Sequence, residues 1–197
     1  MFFSLAYLQP HLVQLSGSSV FAGVATSGLA TYGVYKALSG GLLWLFTKNQ
    51  KLRKLILGKA YLEGTWVGHY QDGNELRLTK EFIDQSTGET LIHGREFYGT
   101  GATRANWTSD TVAIDLRKMQ VVYAYTCRVI DRKNVQEGLG VFSMIVQASG
   151  EHASILDGYA VDLIDGERDP NKEHKISDSE VTDEKAFSEA KRIFGLS

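Results

Sequence analysis

The chain has 197 residues, with 21 Lys and Arg against 23 Asp and Glu, and a single cysteine. That length fits one domain of ordinary size plus appendages. One cysteine excludes an internal disulfide and a cysteine-rich zinc site, and Cys127 lies in an apolar, strand-like run where a buried thiol is expected.

Charge is unevenly distributed along the chain. Residues 1–60 carry six Lys or Arg and no acid, because the first acidic residue is Glu63. Residues 61–165 have a net charge of −6, and residues 166–197 have −2. A domain at −6 is poorly suited to long nucleic acid, whose affinity rests on neutralising phosphates. A small anionic ligand stays compatible with it if a few basic residues converge.

Residues 1–47 form an apolar N-terminal segment whose ionisable residues are His11 and Lys36. The run Val20–Phe46 has the length of a transmembrane helix. Upstream, Met1–Leu15 is uncharged but interrupted by Gln9, Pro10, His11 and Gln14, so the segment reads as one or two helices. Ser19, Gly23, Ser27 and Thr31 recur every fourth residue, a small-residue face that would let membrane helices pack closely.

A basic linker, residues 48–60, follows with Lys48, Lys51, Arg53, Lys54 and Lys59. Positive charge on this side places the rest of the chain in the cytoplasm and sets the linker against anionic lipid. The soluble domain is therefore expected on the cytoplasmic side of the membrane.

From Tyr61 to residue 165 the hydrophobic period becomes two. Eight strands are expected: Glu63–Gln71, Glu75–Ile83, Thr90–Tyr98, Thr103–Thr108, Thr111–Arg117, Gln120–Ile130, Gln136–Gln147 and Ser154–Ile164. Short polar connections, among them Asp72-Gly73-Asn74 and Ser109-Asp110, imply an antiparallel meander closing into a small barrel. The Gly64-Thr65-Trp66 triplet is similar to the lipocalin signature, whose tryptophan plugs one barrel end. Residues 166–197 read as an acidic linker ending in an amphipathic helix, Asp183–Phe194. The fold class expected is therefore mainly β: a transmembrane helical segment, a lipocalin-like minimal barrel and a short C-terminal helix.

No catalytic or metal-binding pattern stands out, and no cofactor is expected: there is no phosphate loop, nucleophile elbow or His-x-x-x-His spacing. An enzyme is not expected. Residues 61–165 hold six Arg against three Lys and eleven of the 21 aromatic residues. Arginine forks phosphate and aromatic rings stack on bases, so the pair suits a nucleotide.

An apolar segment and a basic junction lead to Tyr61-Leu62-Glu63-Gly64-Thr65-Trp66-Val67-Gly68-His69-Tyr70 at the start of an eight-strand domain. In this order the chain resembles the bacterial two-transmembrane, β-strand-rich effectors that accompany cyclic-oligonucleotide synthases of the SMODS, or CD-NTase, class in CBASS anti-phage systems. The resemblance implies a cytoplasmic barrel that binds a cyclic dinucleotide, followed by self-association, inner-membrane disruption and abortive infection. It supplies no residue-level binding motif. Strand alternation and chemistry nominate Tyr70, Arg77, Arg95, Tyr98, Tyr123, Tyr125 and Arg128 as ligand contacts. Arg95 and Tyr98 cannot share one face of a regular strand, nor can Tyr125 and Arg128. The rival readings are a membrane-tethered carrier of an apolar ligand, with Leu, Val and Phe lining the lumen, and a non-catalytic membrane scaffold.

Overall fold

A computed structural model describes residues 20–73, 75–130, 134–147, 152–164 and 166–196. The expected leader Met1–Leu15 lies outside them, as do Ser19 and several turn residues, including Asn74 and Ser149-Gly150-Glu151. The chain divides into two compact units, Met1–Asn49 and Gln50–Ser197.

In the first unit, helix α1 spans Val20–Lys48. The expected helix is therefore present, but among the described residues no helix is long and apolar enough to cross a membrane. Thr31, Tyr32, Tyr35, Lys36, Ser39 and the Gly40-Gly41 pair dilute its apolar content. Leu29, Leu42, Leu43 and Trp44 are nonetheless exposed. Of the expected packing face, Thr31 is exposed, while the side chains of Gly23 and Ser27 lie outside the described set.

The second unit opens with α2, Gln50–Leu57, and a 3-10 turn, Gly58–Ala60. Eight antiparallel strands follow: β1 Gly64–Asp72, β2 Glu75–Asp84, β3 Leu91–Phe97, β4 Thr103–Asp115, β5 Gln120–Val129, β6 Asn134–Val146, β7 Ala153–Asp162 and β8 Arg168–Ser177. Each pairs with its sequence neighbour, and β8 returns to β1, closing the barrel. Closure leaves no unpaired edge for other chains to extend.

Two details differ from the sequence expectation. The Ser109-Asp110 pair is no turn, because one strand, β4, runs through it with a register shift between Ser109 and Thr111. Buried Ser109 accepts a hydrogen bond from the Ile92 amide through its hydroxyl, at 2.9 Å, and so stands in for a ladder acceptor. Asp110 bulges outward and accepts from Thr126. The eighth strand is then Arg168–Ser177, so the barrel extends to Ser177 instead of ending near residue 165. Pro170 is tolerated there because pairing with β1 begins only at Lys172, leaving its missing N–H on an open side.

Inward side chains divide the barrel into two halves. At the end where β1 starts, Leu62, Trp66, Ile83, Ile92, Val121, Phe142, Met144 and Leu156 form the core. Trp66 is fully buried, and its indole N–H donates to the Leu62 carbonyl at 2.8 Å. This end is sealed. Arg53 of α2 makes a bidentate, buried pair with Glu63, at 2.6 Å on each arm, and so fixes α2 to the start of β1.

The C-terminal helix, α3, covers the Asp183–Phe194 span expected from its periodicity. Thr182 caps its N-terminus, and Gly195, at φ 68°, ends it in the left-handed conformation. Ala186 and Ala190 pack on the outward residues Val67 and Leu78, while Phe187 meets Phe97. Small residues at the contact allow this close approach to the barrel wall.

Candidate functional site

The other half of the barrel is open. Its cavity, of about 140 Å³, is walled by Tyr70, Trp107, Tyr123 and Tyr125 together with Thr79, Glu81, Glu96, Arg104, Asn171 and the mouth carboxylates Glu137, Asp162 and Asp169. These residues come from all eight strands, since the cavity lies at the end holding the β1–β2, β3–β4, β5–β6 and β7–β8 connections.

Local sequence explains the aromatic walls. Trp107 lies opposite Gly94, Tyr123 opposite Gly140, and Tyr125 opposite Gly138 in the strand ladders. A methyl group on any of the three glycines would overlap the facing ring, at 1.8, 2.5 and 2.3 Å respectively. Each ring is thus laid flat across a neighbouring strand that lacks a side chain. On β1, Gly68 gives the same clearance to Thr79, Asn171 and Glu173.

At the base of the cavity sit two buried carboxyls, Glu81 of β2 and Glu173 of β8. Glu81 Oε1 accepts from the Tyr123 hydroxyl at 2.6 Å and from the Trp107 indole at 3.1 Å. Glu173 Oε1 accepts from the Asn171 amide at 3.0 Å. The second oxygen of each carboxyl has no other donor. Burial raises both pKa values, and for Glu173 the neighbouring Glu81 charge raises it further. The arrangement is satisfied by one proton held between the two carboxyls, as in other close carboxyl pairs.

Burial also raises the Tyr123 hydroxyl well above the usual phenol range, with the Glu81 charge adding to it. It stays a donor. Burial pushes the Cys127 thiol up to about 11, so it is a protonated wall group and not a nucleophile.

Nearer the mouth lies a second polar group. Buried Glu96 accepts from Arg104 at 2.9 and 2.7 Å, and the Arg77 guanidinium stands 3.5 Å away. Arg77 also pairs with Glu75 at 2.5 Å and lies over the Tyr98 ring, 5.4 Å from its centre. Around the cavity as a whole, Glu81, Glu96, Glu137, Asp162 and Asp169 outnumber Arg104, so the lumen attracts N–H donors and repels free phosphate.

Of the seven nominated contacts, Tyr70, Tyr123 and Tyr125 line the cavity. Arg77 and Tyr98 meet each other in the Glu75–Glu96 network. The conflict between Tyr125 and Arg128 resolves in favour of the tyrosine, whereas Tyr98 lies just past the end of β3 and is not among the residues lining the cavity. Arg95 points outward and pairs with Asp183 of α3, and Arg128 is exposed on the outer face of β5. Sequence reasoning missed Thr79, Glu81, Glu96, Arg104, Trp107, Asn171 and Glu173. Their available signal was parity: Thr79 and Glu81 alternate with Ile83, and Trp107 faces a glycine.

Among the described residues no group of three or more His, Cys, Asp or Glu is arranged to hold a metal ion. No family model, curated protein or solved structure matches this chain.

Proposed function

We propose that this chain is an effector of a CBASS anti-phage system, anchored in the bacterial inner membrane, whose cytoplasmic barrel senses a cyclic dinucleotide. The observation that carries the reading is the open end of the barrel: a polar lumen with aromatic walls and arginines at its rim. Aromatic rings offer stacking surfaces for a base, and Arg77 and Arg104 can be drawn from Glu96 toward phosphate.

The cavity, at about 140 Å³, is smaller than the roughly 300–1,000 Å³ of sites that enclose a whole drug-sized ligand. A single base enters it, and the sugar–phosphate ring stays at the mouth, beside Arg104 and clear of the buried Glu81–Glu173 pair. The second base is then left outside the barrel, where it can meet another copy of the chain. Tethered chains are already concentrated in two dimensions, so this bridging drives oligomerisation and membrane disruption. The exposed apolar residues of α1 supply the surface that lipid or neighbouring helices cover. A carrier of purely apolar ligands is disfavoured, because the aliphatic core gathers at the sealed end while Thr79, Glu81, Glu96 and Asn171 stand among the aromatic rings of the cavity.

The barrel, its core and the helices α2 and α3 all lie within Gln50–Ser197, so this fragment suits direct titration. Calorimetry with cyclic di-GMP, cyclic di-AMP and cyclic di-UMP is expected to give saturable binding to at least one, weakened about tenfold or more by Tyr125→Ala, since base stacking contributes about 1–3 kcal/mol. A folded fragment that binds none of the three would overturn the reading. Full-length chain in vesicles of phosphatidylethanolamine and phosphatidylglycerol should release trapped dye only when that ligand is added.

A further inference from the structure

Far from the cavity, the sealed end carries an apolar surface that the barrel itself leaves uncovered. Helix α2 turns Arg53 inward onto Glu63, and its Lys54 pairs with Asp178 at 2.6 Å. The turn after it is held too: Gln85 donates to the Ala60 carbonyl at 3.0 Å, and His152 Nδ1 stands 2.8 Å from the Gly58 carbonyl. Gln85 follows β2 and His152 precedes β7, so these bonds lay the segment across the end of the barrel. They fix Leu55 and Ile56 facing outward, at 79% and 60% exposure. Exposed Lys51 and Lys59 flank that pair in sequence. At the same end the β4–β5 hairpin adds exposed Leu116, Arg117 and Lys118, opposed by exposed Glu89 and by Asp115, 3.9 Å from Lys118. Apolar side chains set among exposed cations suit the headgroup–acyl boundary of an anionic bilayer.

We infer that the barrel docks by its sealed end on an anionic lipid surface, with Leu55 and Ile56 inserted at that boundary and Lys51, Lys59 and Arg117 against headgroup phosphates. The inference rests on the membrane reading of this chain, but on neither α1 nor a nucleotide ligand. It assigns which end of the barrel meets lipid. The open end also exposes Leu163 and Ile164, but among Glu137, Asp162, Glu167 and Asp169, which an anionic surface repels. A second copy of the chain fits the sealed end poorly, because two such surfaces would bring like cations together. Docked this way, the barrel turns its mouth away from the bilayer and toward soluble ligands.

The test is sedimentation of the Gln50–Ser197 fragment, which lacks α1, with vesicles of phosphatidylethanolamine and phosphatidylglycerol or of phosphatidylcholine alone. The fragment should pellet with the anionic vesicles, far less with the neutral ones, and less as salt is raised. The double variant Leu55→Ser with Ile56→Ser should lower partitioning about tenfold or more. Lys51→Ala and Lys59→Ala should each lower it about fivefold. All four side chains stand on the surface, and thermal melts establish that each variant is folded. Leu163→Ser with Ile164→Ser, at the other end, should leave partitioning unchanged within error. Equal pelleting with neutral vesicles, full retention in the Leu55 and Ile56 variant, or a larger loss in the Leu163 and Ile164 variant would overturn the inference. A fragment that stays in the supernatant, including one that light scattering shows to dimerise through Leu55 and Ile56, also overturns it. Anchoring through α1 would still stand, since dye release by the full chain tests that separately.

Discussion

The two ends of this barrel are built from the same eight strands by opposite rules. At the sealed end inward positions hold Leu62, Trp66, Ile83, Ile92 and Phe142, packed into one buried cluster. At the open end the inward positions of the same strands hold Tyr70, Thr79, Glu81, Trp107 and Asn171 around a cavity. Strand β2 crosses from one regime to the other within a few residues, from Ile83 to Glu81 and Thr79. The sealed end stabilises the fold through burial. The open end keeps buried carboxyls that a purely structural barrel would do better to replace with apolar groups.

Truncation at the sealed end should have the largest effect. Trp66 is completely buried, stands within the core cluster and hydrogen-bonds the backbone at Leu62. Trp66→Ala removes that packing and leaves a cavity, at a cost of about 3–5 kcal/mol. Urea denaturation of the Gln50–Ser197 fragment would measure it. A loss below about 1 kcal/mol would mean that the sealed end does not carry the fold.

At the mouth, Arg104→Ala should cost about 2–3 kcal/mol, less than the tryptophan but more than a surface change. The loss comes mainly from Glu96, which is 5% exposed at its side chain and would lose two hydrogen bonds from Arg104. The Arg77 guanidinium at 3.5 Å remains and limits the damage. The double variant Arg104→Ala with Glu96→Gln should recover part of the stability, which a cycle of melts would reveal.

The carboxyl pair adds a pH dependence of its own. Burial raises Glu81 to about 7 and raises Glu173 as well, so the folded barrel holds protons that the unfolded chain releases. For a raised carboxyl the stabilisation is complete below the ordinary value near 4.5 and is lost as pH rises through the folded value. The wild-type fragment should therefore lose about 1–3 kcal/mol between pH 5 and pH 8 from this pair. Asp178 and Asp183 act oppositely: burial alone would raise them, but hydrogen bonds from Lys175 and Lys54, and from Lys80 and Arg95, hold them low. Their contribution falls away only in stronger acid. Glu173→Gln supplies an amide donor to Glu81 and should flatten the slope between pH 5 and pH 8. An unchanged slope in denaturation at the two pH values would separate the pair from the effect.

The same contrast explains what the sequence could reveal. Strands that run through the sealed end carry alternating apolar residues, so β1, β2, β5 and β7 are legible from period two. Strand β8 places Asp169, Asn171 and Glu173 inward, all polar, and with Pro170 it has the look of a linker. It contributes half of the carboxyl pair, and is the strand that hydrophobic patterning cannot find. Ser109-Asp110 mimics a turn because the bulge uses turn residues. The amphipathic pattern of α3 was legible because its inner face is apolar in the ordinary way. Tyrosines pointed toward the site, whereas arginines misled, since a charged residue on a strand can as well face solvent or pair with α3, as Arg95 does.

Arg128 is the smallest prediction and the cleanest control on that distinction. It sits one residue from Cys127 and Val129, which both line the cavity, but strand alternation turns it outward, where it is exposed on the barrel wall. Substitution of such a surface side chain away from any cap or network usually changes stability by less than about 0.5 kcal/mol. Arg128→Ala should therefore leave both the melt and the titration with cyclic dinucleotides unchanged within error. Arg104→Ala, on the neighbouring strand and at the mouth, should alter both. If Arg128→Ala abolished binding while Arg104→Ala did not, the ligand would have to be gripped on the outer wall. The open end would then be an incompletely filled core, and the two ends of the barrel would differ in packing alone.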